Sequence, residues 1–190
     1  NAKMLSIQLK NTHLIGQELP AKLMDSNDAL HNGPKIHILK AIEAFLNANK
    51  SLVQNHLGQY ESLDPSLFSL LSNQDRRFCE AYHKYLSKLI ETHGNYFTNS
   101  RQSDIMYHFG ESHCLSYAYQ EINAADTKYV VMPKITFGGK AFHFMREKPD
   151  AFKEITKANL HSIPKRSKAF ISFGEIDCRL NEGFLVAVRK

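Results

Sequence analysis

The chain has 190 residues, of which 43% are hydrophobic and 23% are charged, and this balance is typical of a folded globular protein. No apolar run approaches the roughly 20 residues that a membrane-spanning helix needs, and the first ten residues lack the apolar segment of a signal peptide. The 3 cysteines and 10 histidines stand in no metal-binding spacing. We therefore expect a cytoplasmic protein with no disulfide framework, no metal and no cofactor.

The net charge of +5 is unevenly distributed. From Lys128 to Lys168 there are ten lysines and arginines against three acidic residues. A basic surface of this kind attracts phosphates, acidic glycans or nucleic acid. Because no RNA-binding motif and no interleaved aromatic residues accompany the basic residues, we expect a solvated face on an α/β segment and no nucleic-acid partner.

Residues 1–100 are predicted to form a helical region, and its first clear helix starts at Gly33-Pro34. Asp28 and His31 form an Asp-x-x-His pair just before this start, and we interpret them as capping residues rather than as a catalytic pair. The helix has an apolar face with three- and four-residue spacing, made of Ile38, Leu39, Ile42, Phe45 and Leu46.

A second helix is predicted over residues 75–91, with Asp75 as its cap and His93-Gly94 at its end. Its apolar positions again recur every three or four residues, at Phe78, Tyr82, Tyr85, Leu86, Leu89 and Ile90. The helical region of residues 1–100 is therefore a candidate surface for a protein partner.

Residues 101–190 are predicted to form an α/β unit in which strands and helices alternate. The strands are expected over residues 104–110, 128–132 and 168–174, and the helices over residues 113–122 and 149–160, with Pro149 in the first turn of the last helix. This alternation implies parallel strands joined by right-handed crossovers. Three strands are few for an independent sheet, so we expect further sequence to complete it.

A glycine-containing turn follows each predicted strand, with Gly110 in the first turn, Gly138 and Gly139 in the second, and Gly174 in the third. The carboxyl ends of parallel strands meet at one edge of a sheet, where open α/β folds bind ligands. Ser112 follows Gly110 at the start of a predicted helix. Two interpretations of Ser112 stay open, a helix N-cap and a nucleophile beside free backbone N–H groups.

The sequence around these turns resembles a known family. The segments GESHCLS, FGGKAFH and SFGEIDCR occur in the same order as the sequence blocks of the SGNH (GDSL-type) hydrolases. They are also similar to segments of bacterial proteins that join a helical region to an SGNH-like domain. The resemblance covers residues 104–190 and implies a flavodoxin-like, three-layer α/β fold with a serine nucleophile.

The resemblance also implies roles for individual residues. Ser112 matches the nucleophile, and Glu111 stands in place of the family's aspartate. Gly138 or Gly139 matches the glycine whose backbone N–H lines the oxyanion hole, and Asp177 matches the acidic residue of the third block. We therefore assign Ser112 and Asp177 to catalysis. The residues assigned to substrate binding are Gly138, Gly139, Arg179, Glu111 and His113.

Two features depart from the family pattern. Ile176 stands where the family has an asparagine that donates to the oxyanion, and Arg179 is either a replacement positive charge or one half of a surface ion pair. The family's catalytic Asp-x-x-His falls beyond Lys190, where we expect the base of the intact protein. His143, five residues after Gly138, is the candidate catalytic base within these 190 residues.

The sequence therefore predicts an SGNH-like serine esterase or O-acyltransferase that acts on an ester through Ser112, and a glycan ester would suit the basic surface. Two alternatives stay open. One is an SGNH-like domain that has lost its chemistry and serves as a binding module. The other is a helical interaction scaffold formed by residues 1–100.

Overall fold

The structure, a computed structural model, describes residues 26–93, 104–145 and 147–179, together with residue 188. The described residues belong to two compact units, one within Gln17–Asn99 and one within Ser100–Lys190. The first is helical and the second contains a mostly parallel sheet, which confirms the predicted α/β fold with a helical N-terminal region. Within the described ranges, no helix is long and apolar enough to cross a membrane.

The described part of the first unit contains four helices. They are α1 (Ser26–Leu46), α2 (Lys50–Glu61), α3 (Pro65–Ser69) and α4 (Asn73–His93). The predicted apolar face of α1 forms the core of this unit, because Ile38, Ile42 and Phe45 are at most 1% exposed. The helix predicted over residues 75–91 is confirmed by α4, whose Leu86 is fully buried.

The start predicted for α1 is wrong. The helix begins at Ser26 and continues through Gly33 and Pro34, although proline lacks the N–H that a helix interior uses. The apolar face that follows is buried against α2 and α4, and this packing outweighs the missing hydrogen bond. Asp28 and His31 lie inside α1, so they do not cap a helix that starts at Gly33-Pro34.

The cap predicted for α4 is also wrong. Ser72 caps this helix, since its hydroxyl oxygen accepts the Asp75 backbone N–H at 3.0 Å and donates to the Asp75 carboxylate at 2.8 Å. Asp75 is the third helical residue and closes a reciprocal capping arrangement. Its carboxylate also forms an ion pair with Lys35 at 2.5 Å, which links α4 to α1.

The second unit is built on a four-stranded sheet with the strand order β2-β3-β1-β4 in its described part. The strands are β1 (Asp104–Gly110), β2 (Glu121–Ala124), β3 (Thr127–Ile135) and β4 (Lys168–Ser172). β1 lies between β3 and β4 and runs parallel to both. The three predicted strands and their parallel pairing are therefore confirmed.

The helix predicted over residues 113–122 is wrong. This segment forms a short 3-10 helix (Ser112–Tyr117) followed by β2, which pairs antiparallel with β3. The hairpin turn consists of Ala125 and Asp126, both at positive φ, 49° and 62°, as a type I′ turn requires. Alanine does not favour a positive φ, so the sequence does not predict this turn, and the pairing of β2 with β3 stabilises it.

Two helices connect β3 to β4, namely α5 (Ala141–Met145) and α6 (Ala151–His161). The helix predicted over residues 149–160 is confirmed by α6. Its N-cap is Asp150, whose carboxylate accepts the Lys153 N–H at 2.9 Å, so Pro149 precedes the cap instead of standing in the first turn. The Asn159 side chain donates to the Ile135 carbonyl at 2.9 Å and holds α6 against the end of β3.

Gly110 lies where three strands end together. In the sheet register it is opposite Ile135 of β3 and Ser172 of β4. A Cβ atom at Gly110 would be 2.9 Å from the Ser172 carbonyl oxygen and 3.0 Å from the Cys114 Cβ. Only glycine allows β1 and β4 to approach this closely beside the following turn.

Replacing Gly110 with alanine should lower the free energy of unfolding by about 1–3 kcal/mol, because the new methyl group meets a backbone oxygen of β4. Urea denaturation of the full chain measures this change. The control is Gly58→Ala in α2, where a Cβ would meet no atom within 4 Å; it should not destabilise its helix, since alanine is the better helix former. Equal effects of the two substitutions would contradict the close approach at Gly110.

Candidate functional site

The turns that follow β1, β3 and β4 lie at the same edge of the sheet. The register places Gly110 opposite both Ile135 and Ser172, and the Thr136 N–H donates to the Gly110 carbonyl at 2.8 Å. Ser112 and Glu175 each follow one of these strand ends within three residues. This is the edge at which open α/β sheets bind ligands.

Glu111 is a residue of the first turn, and its side chain is buried, with 1% of the residue's surface exposed. Its Oε2 atom accepts the His113 backbone N–H at 3.0 Å and the Ser112 hydroxyl at 3.1 Å. The Nδ1 atom of the His113 ring lies 2.8 Å and 2.7 Å from the two carboxylate oxygens. Glu111, predicted to bind substrate, is therefore placed to orient Ser112 and His113.

Ser112 is the first residue of the 3-10 helix, and the N-cap of this helix is Glu111. The interpretation of Ser112 as a helix N-cap is therefore wrong. Ser112 is partly exposed, and its hydroxyl donates to the Glu111 carboxylate. Within the described ranges, no histidine nitrogen is bonded to this hydroxyl.

Glu175, in the turn after β4, connects His113 to Arg179. Its Oε2 atom lies 3.6 Å from the His113 Nδ1, while Arg179 contacts the same carboxylate through Nη2 at 2.8 Å and Nε at 3.0 Å. The hydrogen bond from Arg179 holds the pKa of the Glu175 carboxyl below its ordinary value. Arg179 is thus the ion-pair residue that one of its two interpretations predicts, and the half-exposed His113 lies beside this pair.

The sequence prediction missed Glu175 although its segment contains it. Glu111 and Asp177 were singled out by the resemblance to the SGNH blocks, whereas the signal that could have identified Glu175 is a carboxylate in a turn after a parallel strand. What the sequence does not provide is the pairing of β4 beside β1, which brings Glu175 to His113.

Asp177, predicted to be catalytic, holds the start of α5. Its two carboxylate oxygens accept the backbone N–H groups of Ala141 at 2.7 Å and Phe142 at 3.1 Å, and the residue is 7% exposed. Neighbouring Ile176 is equally buried, at 7%. The described contacts therefore link Asp177 to α5 and not to Ser112.

Gly138 and Gly139 form the turn after β3. The Gly139 N–H donates to the Thr136 carbonyl at 3.0 Å, and a Cβ at this position would lie 3.0 Å from the Phe173 ring. Gly138 has a φ of +67°, and its N–H has no acceptor among the described residues. Of the two predicted oxyanion donors, Gly138 is therefore the one whose N–H can serve a ligand.

His143, predicted as the base, lies on α5 and packs against α6. Its Nδ1 atom accepts the Lys140 backbone N–H at 3.0 Å, and its ring stacks on Phe152 with 4.0 Å between the centroids. The described part of the chain contains no bond between His143 and Ser112. The structure does not bring this predicted base and nucleophile together.

His108, on β1, packs against the neighbouring strand β4. Its Nε2 atom lies 2.6 Å from the Ser172 hydroxyl, and its ring stacks on Phe170 with 4.0 Å between the centroids. Burial lowers the pKa of His108 and raises the pKa of the nearby Cys114 thiol. Both side chains are therefore held neutral and act in packing β1, β4 and the 3-10 helix.

Three side chains at this edge could hold a metal ion, namely Glu111, His113 and Glu175. One ligand atom from each lies within 4.8 Å of the other two. The expectation of no metal was based on spacing along the sequence, and it did not consider residues from different turns. The described ranges thus contain a possible donor set that sequence spacing does not reveal.

Comparisons with protein families, with curated proteins and with solved structures found no match to this chain. The similarity to SGNH hydrolases stays a prediction that rests on three sequence segments. The function must therefore be argued from the geometry of the site.

Replacing Asp177 with alanine should lower the free energy of unfolding by about 1–3 kcal/mol, because two backbone N–H groups at the start of α5 lose their buried acceptor. Urea denaturation measures the loss. The control is Glu147→Ala, an exposed carboxylate with no described bond, which should change stability by less than about 0.5 kcal/mol. An Asp177 variant as stable as the control would show that these two hydrogen bonds do not hold α5.

Proposed function

We propose that this edge of the sheet is a serine acyl-transfer site of the SGNH type, belonging to an ester hydrolase or O-acyltransferase with Ser112 as nucleophile. The observation that carries the proposal is the position of Ser112. Its hydroxyl lies in a tight turn at the carboxyl ends of three parallel strands, is partly exposed, and donates to the buried Glu111 carboxylate. The three sequence segments that resemble the SGNH blocks support the same reaction class.

In the proposed reaction, the Ser112 Oγ attacks the acyl carbonyl carbon as its proton passes to a base. Negative charge develops on the carbonyl oxygen, and oriented backbone N–H groups stabilise it. The N–H groups of Ser112 and Gly138 support this role, since neither has an acceptor among the described residues. Collapse releases the alcohol, and water or a second alcohol then removes the acyl group from Ser112.

The Ser112 hydroxyl needs a base to accept its proton. The resemblance predicts a histidine from an Asp-x-x-His pair outside the described residues. In the described part of the chain, the group that accepts the Ser112 hydroxyl is the Glu111 carboxylate. The adjacent His113 ring contacts that carboxylate, so a serine, a carboxylate and an imidazole are already grouped at one turn.

The basic segment supports a glycan ester as the substrate class. Some of its charges are neutralised locally, because Lys128 pairs with Glu121 at 2.5 Å and Lys157 with Glu154 at 3.2 Å. An excess of positive charge is left between Lys128 and Lys168. Such an excess attracts anionic substrates over long range, which suits an ester of an acidic glycan.

The cysteines support a cytoplasmic location for this activity. Cys79 and Cys114 are buried and Cys178 is exposed, and all three are free thiols. Free thiols without a disulfide framework are typical of reducing compartments. We therefore keep the cytoplasm as the proposed location.

A binding module that has lost its chemistry is the second candidate. The observation in its favour is that Ser112 is bonded to a carboxylate rather than to an imidazole. Ile176, at the position of the family's oxyanion asparagine, is buried and offers no side-chain donor.

A fluorophosphonate probe should label the full chain covalently at Ser112, because such probes trap serine nucleophiles of acyl-transfer sites. Labelling should disappear in Ser112→Ala. Intact-protein mass spectrometry measures the added mass, and peptide mapping locates it.

The matched control is Ser116→Ala in the same 3-10 helix, where the hydroxyl donates to the His113 carbonyl at 2.7 Å. This variant should retain labelling. No labelling of the unmodified chain would favour the binding module, and labelling that persists in Ser112→Ala would place the nucleophile elsewhere.

A further inference from the structure

Two carboxylates and one imidazole converge at the site from two separate turns. Glu111 and His113 follow β1, whereas Glu175 follows β4. The His113 Nδ1 lies 2.7 Å from Oε2 of Glu111 and 3.6 Å from Oε2 of Glu175. We refer to Glu111, His113 and Glu175 as the Glu–His–Glu set.

The spacing of these atoms is close to that of ligands around one metal ion. Metal–ligand bonds of about 2.0–2.2 Å at tetrahedral or octahedral angles place neighbouring ligands roughly 3.0–3.5 Å apart. The 3.6 Å between His113 and Glu175 is too long for a hydrogen bond but suits two ligands of a shared ion. The shorter contact between His113 and Glu111 is a hydrogen bond that an ion would replace after a small movement.

The charges of the set point to a cation independently of the distances. Glu111 is 1% exposed, and a buried carboxylate needs compensation of its charge. Within the described residues, its hydrogen-bond partners are a hydroxyl, a backbone N–H and the imidazole of His113, none of which carries a permanent positive charge. Glu175 adds a second carboxylate at the same place.

We propose that the Glu–His–Glu set binds a divalent transition-metal ion of the Mn²⁺ or Zn²⁺ type. A site with an imidazole nitrogen beside carboxylate oxygens suits these ions, whereas Ca²⁺ and Mg²⁺ prefer oxygen ligands alone. The proposal goes beyond the serine chemistry and does not depend on it.

Arg179 should oppose metal binding. Its guanidinium contacts the Glu175 carboxylate through two nitrogens, at 2.8 Å and 3.0 Å. An incoming cation must share this carboxylate with a fixed positive charge. Removing the guanidinium should therefore strengthen binding, although its removal takes no ligand away from the ion.

Isothermal titration of the full chain with MnCl₂ tests the proposal. Mn²⁺ is the first probe because the exposed thiol of Cys178 prefers softer ions. We expect one saturable site whose dissociation constant rises at least about tenfold in Glu111→Gln and in Glu175→Gln. If Glu111→Gln fails to fold, Glu175→Gln still tests the site, because Glu175 lies on an exposed turn.

Two further variants test whether the ion binds at the Glu–His–Glu set. Arg179→Gln should lower the dissociation constant for Mn²⁺, which a purely structural role of Arg179 would not do. Glu154→Gln is the matched control, because Glu154 is a partly exposed carboxylate that pairs with Lys157 of the same helix, α6. This variant should leave the dissociation constant unchanged.

Failure of both Mn²⁺ and Zn²⁺ to bind would overturn the proposal, as would binding that is unchanged in Glu111→Gln and Glu175→Gln. Equal or tighter binding of Ca²⁺ or Mg²⁺ would overturn the proposed class of ion. Because the titration needs no acyl transfer, a chain that fails to react with fluorophosphonate can still bind the metal, and the two proposals fail separately.

Discussion

The parallel pairing of β1 with β3 on one side and β4 on the other is the constraint on which the α/β unit depends. Because all three strands end together at Gly110, Ile135 and Ser172, the turns that follow them meet at one edge. The approach at Gly110 leaves no room for a side chain. Residues distant in sequence thereby come together, and the candidate site consists of side chains and backbone N–H groups from these turns.

Within that edge, the buried carboxylate of Glu111 organises the first turn. It caps the 3-10 helix, accepts the Ser112 hydroxyl and contacts the His113 ring. A buried carboxylate needs hydrogen-bond partners, and these groups are the partners of Glu111 within the described residues. The group that stabilises the turn therefore also sets the orientation of the candidate nucleophile, and the serine chemistry and the metal proposal both involve this one residue.

Several parts of the fold could be predicted because their signals are local. The apolar periodicity of residues 75–91 identifies α4, and the buried run at residues 104–110 identifies β1. β2 could not be predicted, because its turn residues Ala125 and Asp126 adopt a positive φ that alanine does not signal. The predicted start of α1 is wrong because packing of its apolar face overrides the preference of proline for the first turn of a helix.

The candidate site was predicted only in part, because local signals reveal the turns but not the contacts between them. The edge of the sheet and the position of Ser112 follow from strand patterns and glycine turns. The partners of each side chain do not, since His143 is held by Lys140 and Phe152, and Asp177 is held by the start of α5. Distance along the chain from Gly138 gives no information about which atoms surround an imidazole.

The sequence by itself determined the α/β class, the parallel strands and the edge at which polar residues gather, because hydrophobic period and turn residues act over a few positions. Only the tertiary structure decided that Glu111 rather than Ser112 caps the 3-10 helix, that Arg179 pairs with Glu175, and that Glu175 lies beside His113. The contact between Glu175 and His113 depends on the side-by-side pairing of β1 and β4, and the cap depends on the burial of the Glu111 carboxylate. Both arise from packing between segments far apart in sequence, which no local pattern encodes.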